Sequence, residues 1–187
     1  MMPKRRSLAA AVALLGLVPP AVSAADLPRK SPEFAISLTN GKQILLSQYK
    51  GKVVVLAFIL TTCPHCQITI GLLGKHQQEF GPRGFEVLAS AVETGAALAV
   101  PGFIRDFHPP FPVGFNTDQK AVLDYLQHPP MLIPHMPILA FLDRQGMIRA
   151  QYEGDDKFFA ADQEEQNLRQ KIEELLKEGA AAPRKKR

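Results

Sequence analysis

Hydrophobic positions along the chain change period several times, and each change marks an element. Phe34, Ile36 and Leu38 alternate with other residues, and Gln43 to Leu46 follows beyond Asn40-Gly41, a pair suited to a tight turn. An antiparallel hairpin is predicted there. Val53 to Leu60 is an unbroken apolar run rich in β-branched residues, as expected of a central strand covered on both faces. It gives way to Thr61-Thr62-Cys63-Pro64-His65-Cys66 and then to a stretch in which Ile68, Leu72 and Phe80 recur near one helical face, with Leu73 beside them. Gly81-Pro82-Arg83-Gly84 ends that helix, and Phe85 to Val92 predicts another short buried strand. Ala96 to Phe107 reads as helix despite Pro101, Pro112 to Phe115 as strand, and Thr117 as the cap of a helix running to Gln127.

Four prolines between His128 and Pro137 make that segment a stiff, irregular connection. Ile138 to Leu142 and Met147 to Tyr152 then form a hairpin across Asp143-Arg144-Gln145-Gly146. Leu168, Ile172, Leu175 and Leu176 mark one face of a last helix, outside which Glu173 and Lys177 stand as an i,i+4 pair. The pattern predicts an α/β fold: a central mixed β-sheet flanked by helices on both sides, with an N-terminal hairpin and an inserted βα segment. No internal repeat, long low-complexity tract or second domain is visible.

The ends change the picture. Lys4, Arg5 and Arg6, the apolar Leu8 to Val18 and the small residues Val22-Ser23-Ala24 have the layout of a signal peptide over residues 1–24, cleaved after Ala24. The competing reading, a membrane anchor, is disfavoured because Leu8 to Val18 falls short of the roughly 20 apolar residues that span a bilayer. Arg5-Arg6 has the form of a twin-arginine signal, but the residues after it match poorly, so the export route stays open. Without this segment 19 basic residues face 18 acidic ones, and most of the formal +4 charge disappears. The organisation expected is a signal peptide over 1–24, a linker over 25–32, a folded domain over 33–178 and a flexible basic tail over 179–187. Arg184-Lys185-Lys186-Arg187 reads as a solvated end of that tail; a nucleic-acid partner is not expected from so short a run. The location implied is periplasmic or secreted.

Two cysteines, separated by two residues, are all the chain has. In an exported protein a pair suggests a structural staple, but a disulfide stabilises chiefly by restricting long unfolded loops, and this loop has four residues. Redox or metal chemistry is the better reading. The pair falls where the apolar strand meets a helix, so Cys63 is expected at a helix N-terminus, where free N–H groups and the macrodipole favour a thiolate. The thiolate is the attacking species in disulfide exchange. Cys66, one turn along, is placed to resolve the mixed disulfide.

From about Phe34 to about Lys177 the sequence resembles the TlpA/ResA-like branch of the thioredoxin superfamily, close to the redoxin or AhpC/TSA group. The likeness rests on Gly51-Lys52 leading into the buried strand, the Cys-x-x-Cys at its end, the inserted βα segment, and Met136-Pro137 ahead of Ile-Leu-Ala-Phe-Leu-Asp-Arg-Gln-Gly. It implies a thioredoxin-like fold and thiol-disulfide oxidoreductase activity with Cys63 and Cys66 as catalytic pair. Pro64 and His65 would support them, His65 adding a donor or positive charge beside the Cys63 thiolate. Pro137 would be a cis-proline facing the pair, with Met136 offering backbone to an extended substrate. Glu93 matches by position a glutamate near the active site in ResA-like proteins, where it would tune cysteine acidity; a solvated loop carboxylate is the alternative. Thr61 and Thr62 lie near the sulfur, yet a strand-end threonine needs no function to explain it. No cofactor and no resident metal are implied. The partners implied are protein thiols and disulfides and an upstream redox donor, a membrane-bound one among the candidates; the oligomeric state is not legible.

Departures from the pattern matter. Thr62 stands where these families commonly have Trp, and the chain has none. Ala57 replaces the buried acid that thioredoxin carries six residues before its first cysteine, and Leu56 and Leu60 occupy the Pro and Thr positions of peroxiredoxins. Cys-Pro-His-Cys is shared with DsbA-like oxidases and favours oxidation or isomerisation, whereas the scaffold favours reduction; the reading leans to reductase. Two alternatives stay open. One is a Sco-like copper chaperone using Cys63 and Cys66 with His128, Met131, His135 and Met136, since thiolate, thioether and imidazole suit Cu(I). The other is a peroxiredoxin-type antioxidant enzyme. Zinc is disfavoured, because two cysteines without a second close pair make an incomplete structural site.

Overall fold

In the computed structural model, which describes residues 25–180, the elements run β1 (Arg29–Lys30), β2 (Ala35–Ser37), β3 (Gln43–Leu45), β4 (Val53–Ile59), α1 (Pro64–Phe80) and β5 (Phe85–Ala91). They continue as α2 (Ala96–Phe107), β6 (Val113–Phe115), α3 (Gln119–Leu126), β7 (Ile138–Leu142), β8 (Met147–Tyr152) and α4 (Glu164–Ala180). The expected signal peptide and the expected basic tail beyond Ala180 lie outside the described residues, while Gly179 and Ala180, assigned to that tail, are instead the end of α4.

One sheet holds all eight strands in the order β1-β8-β7-β4-β5-β6-β2-β3. β4 pairs parallel with β5 and β5 with β6, while the remaining pairings are antiparallel, which makes the sheet mixed. All seven residues of β4 are buried, as its unbroken apolar run predicts. The strand's period of two sorts them onto opposite faces. Val53, Val55, Ala57 and Ile59 pack with residues of α1, α2 and α4, including Ile70, Leu73, Phe103, Leu168 and Ile172. Val54, Leu56 and Phe58 pack with Phe34, Val122, Tyr125 and Leu126, so α3 and the N-terminal segment cover the other face. Burying two apolar surfaces of one sheet is what fixes β4 in the middle, with its C-terminal end at the cysteines.

Three local expectations are corrected. Residues 25–32 are not merely a linker, because Arg29 and Lys30 pair with Ile148 and Met147. Arg29 also donates to the Tyr125 carbonyl at 2.9 Å and to Gln151 Oε1 at 2.8 Å. Two charged residues have no apolar alternation to reveal such a strand. The cap of α3 is Asp118, not Thr117: Asp118 Oδ1 accepts from the Ala121 N–H at 3.0 Å, and Asn116 Oδ1 accepts from the Asp118 N–H at 3.0 Å. On α1, Ile68 is 60% exposed, and the buried stripe is Cys66, Ile70, Leu73 and Phe80 with Thr69 and His76 among them. Counting only aliphatic and aromatic residues missed that a cysteine, a threonine and a histidine set the rotation of this helix.

Candidate active site

β4 delivers the chain to a turn at Thr61-Thr62, and α1 starts at Pro64, whose missing N–H is no loss in the first helical turn. Cys63 is therefore the N-cap. Its backbone is extended, with φ −80° and ψ 117°, and its Sγ accepts from the Cys66 N–H at 3.2 Å. An acceptor at this position gains most when it carries negative charge, because the N–H groups and the helix dipole both favour an anion. Both cysteines are free, Cys63 half-buried and Cys66 fully buried. Burial pushes the Cys66 thiol well up from its ordinary value, and its hydrogen bond with Cys63 acts in the same direction. The two sulfurs are thus unequal: one half-exposed at the helix N-terminus, the other held neutral in the core.

Opposite them, Met136-Pro137 is a cis peptide bond, as expected, and Pro137 is buried while Met136 is half-exposed. The Met136 carbonyl oxygen lies 4.0 Å from Cys63 Sγ. Pro64 is exposed at the head of α1.

Glu93 is half-buried, not a freely solvated carboxylate. Its Oε1 accepts from the Thr61 N–H at 2.9 Å and from the Thr61 hydroxyl, while Oε2 is buried without a partner among the described residues. Gln67 Nε2 donates to the Thr61 carbonyl at 3.0 Å. Thr61 is the hub by which α1 and the segment after β5 brace the turn carrying the cysteines, a role that the residue type alone did not reveal.

His65 is turned away from the role expected of it. Its Nε2 lies 3.7 Å from Glu164 Oε2, and its ring meets Phe159 edge-on at 5.2 Å between centroids. None of the hydrogen bonds to Cys63 Sγ among the described residues comes from His65. Glu164 itself is 3% exposed, and its Oε1 accepts from Thr69 Oγ1 at 2.6 Å. Sequence reasoning missed this residue. Glu164-Glu165 at the start of α4 looks like an ordinary pair of dipole-matched surface acids, and nothing local signals that one of them closes over the active-site histidine.

The cysteines join no set of three His, Cys, Asp or Glu ligand atoms among the described residues. Met131 is 91% exposed, and His128 and His135 face carboxylates instead of sulfur. The donors proposed for Cu(I) are therefore not gathered in this structure.

A family profile described as AhpC/TSA matches residues 28–151, well over half of the chain. The chain belongs to the AhpC/TSA family. Among relatives of this AhpC/TSA protein, thiol-disulfide oxidoreductase ResA of Bacillus subtilis is 35% identical over 96 residues, 51% of this chain and 52% of the relative. The chain thus aligns with about half the length of that protein. ResA of Bacillus thuringiensis subsp. konkukian is 26% identical over 131 residues, 70% of this chain and 71% of the relative. Among solved structures, one described as a thiol:disulfide interchange protein DsbE from Chlorobium tepidum superposes with a TM-score of 0.67 at 25% identity. That match covers 81% of this chain and 98% of the other. The fold is thioredoxin-like, and within the AhpC/TSA family the kinship is with thiol-disulfide oxidoreductases.

Proposed function

We propose that the protein is an exported thiol-disulfide oxidoreductase that exchanges disulfides with protein substrates through Cys63 and Cys66, working as a reductase. The observation that carries the reading is the inequality of the two sulfurs: a half-exposed N-cap Cys63 beside a buried, neutral Cys66. Exchange needs one sulfur to attack and one to wait. The Cys63 thiolate attacks a substrate disulfide, forming a mixed disulfide and releasing one substrate sulfur as thiolate, which takes up a proton. Cys66 then gives up its proton and attacks Cys63 Sγ, releasing the second substrate thiol. The substrate gains two electrons, the enzyme carries the Cys63–Cys66 disulfide, and a thiol donor upstream restores it.

The reductase direction is supported by where His65 goes. A strong oxidant has a stabilised reduced form. A histidine directed at the thiolate would supply that stabilisation, but His65 faces Glu164 and Phe159 instead. Export is supported by the layout of residues 1–24.

Equilibration with glutathione or a reference thioredoxin measures the reduction potential, for which known pairs span roughly −270 to −120 mV. A value near the negative end is expected; one near the positive end reverses the direction. Cys63→Ser should reduce exchange to background, whereas Cys66→Ser should accumulate a mixed disulfide visible on a non-reducing gel. N-terminal sequencing of the protein recovered outside the cytoplasm should begin at Ala25.

A further inference from the structure

Two carboxylates are buried among the described residues, Asp143 and Glu164. Asp143 is accounted for by the turn it closes. Its Oδ1 accepts from the Gln145 and Met147 N–H groups at 2.9 and 3.0 Å, and its Oδ2 pairs with Arg149 at 3.1 Å. Glu164 pairs with no lysine or arginine among the described residues, although its side chain is only 4% exposed. A buried acid depends on the groups that face it. Those groups are the Thr69 hydroxyl and the ring of His65.

The carboxylate is fixed before His65 meets it. Thr69 on α1 donates to Oε1 at 2.6 Å, and Glu164 stands in the first turn of α4, where the helix dipole favours negative charge. Oε2 is left to face His65 Nε2 at 3.7 Å, an ion-pair distance. Phe159, in the turn just before α4, meets the same ring edge-on. One stretch of chain, 157–164, therefore takes hold of the imidazole from two directions. His65 has another anion to turn to, because it is the second residue of α1 and stands beside the N-cap sulfur. A protonated imidazole next to a thiolate stabilises it. Glu164 competes for that ring from a drier place, where a charge attracts more strongly.

We infer that Glu164 is a positioning residue: it holds His65 against Phe159 and away from Cys63, and so keeps a Cys-Pro-His-Cys pair reducing. The inference rests on the thiol-exchange reading above and names what sets its direction. With Glu164 neutralised, His65 is free to turn to the Cys63 thiolate. The reduced form then gains stability and the pair becomes a stronger oxidant.

The test equilibrates the purified protein with glutathione redox buffers and reads the equilibrium constant for closing the Cys63–Cys66 disulfide. Glu164→Gln keeps an oxygen for Thr69 and removes the charge facing His65. In it the constant should move at least tenfold toward the reduced protein, about 30 mV less negative. In a His65→Ala background the same substitution should lose most of this effect, a dependence that a merely structural role would not show. Glu164→Leu combined with Thr69→Val removes carboxylate and hydroxyl together, so neither is left stranded, and it carries the test should Glu164→Gln not fold. A smaller shift, a shift toward the disulfide, or one that persists without His65 would each overturn the inference and leave the exchange reading standing. A wild-type pair that never closes into a disulfide would sink both.

Discussion

Residue by residue, the helix that presents the cysteines carries an odd passenger. His76 is fully buried, stacked on Phe80 at 5.8 Å, and neither ring nitrogen has a hydrogen-bond partner among the described residues. Loss of water lowers its affinity for a proton, and the nearby Arg169 guanidinium lowers it further. The ring is therefore neutral in the folded protein and protonates more readily when unfolded, near its ordinary value of 6.5. Stability from this group is present above that value and is lost as pH falls below it toward the depressed folded value, because the unfolded chain binds the proton first. The thermal midpoint should drop between pH 7.5 and 5.5, and His76→Leu should flatten that slope; an unchanged slope would refute the assignment. The cysteines give a second prediction at this scale. Brief treatment of the reduced native protein with iodoacetamide at pH 7 should add one group, at Cys63, and mass spectrometry after peptide digestion should find Cys66 unmodified until the protein is denatured.

Among elements, contact between β2 and β6 leaves the least room. A Cβ on Gly114 would lie 2.3 Å from the Ser37 carbonyl oxygen and 2.6 Å from Ile36 Cγ2, and a backbone atom cannot step aside as a flexible side chain can. Gly114→Ala should cost about 1–3 kcal/mol, read as a lower urea midpoint. The junction of α1 with α4 makes a different demand. Glu164→Ala would strand the Thr69 hydroxyl in the core and should destabilise by about 1–3 kcal/mol, with Glu164→Gln recovering part of the loss through its amide oxygen. These two cases also show what the sequence could reveal. β4, β5, β7, β8, α2 and the strand-to-helix placement of Cys63 were legible because each follows from a run or period of apolar residues that one stretch of chain displays by itself. The Gly114 approach, the Arg29–Lys30 strand and Glu164 were not, since each is defined by a partner distant in the chain: Ser37, Ile148 and Thr69. Thr61 and His65 were visible as neighbours of the cysteines, but their partners, Glu93 and Glu164, decide what they do.

For the molecule as a whole, redox state and folding free energy are coupled by a thermodynamic cycle: whichever state of the cysteine pair the fold prefers is the state in which the protein resists unfolding better. If the protein is the reductase proposed above, it keeps its disulfide readily and gives up its electrons, and the oxidised form should unfold at a higher denaturant concentration than the reduced one. The opposite order would mark an oxidant. Size matters little here, because the four-residue loop restrains the unfolded chain only slightly and the difference must come from the native site. The sheet's margins have a further consequence. β1 has two residues, both charged, and β3 has three, Gln43 to Leu45, preceded by exposed Lys42, so both outer rims are brief. Unpaired strand edges run the hazard of being recruited into fibrous stacks by lateral growth. Rims this short give such growth almost no ladder to climb.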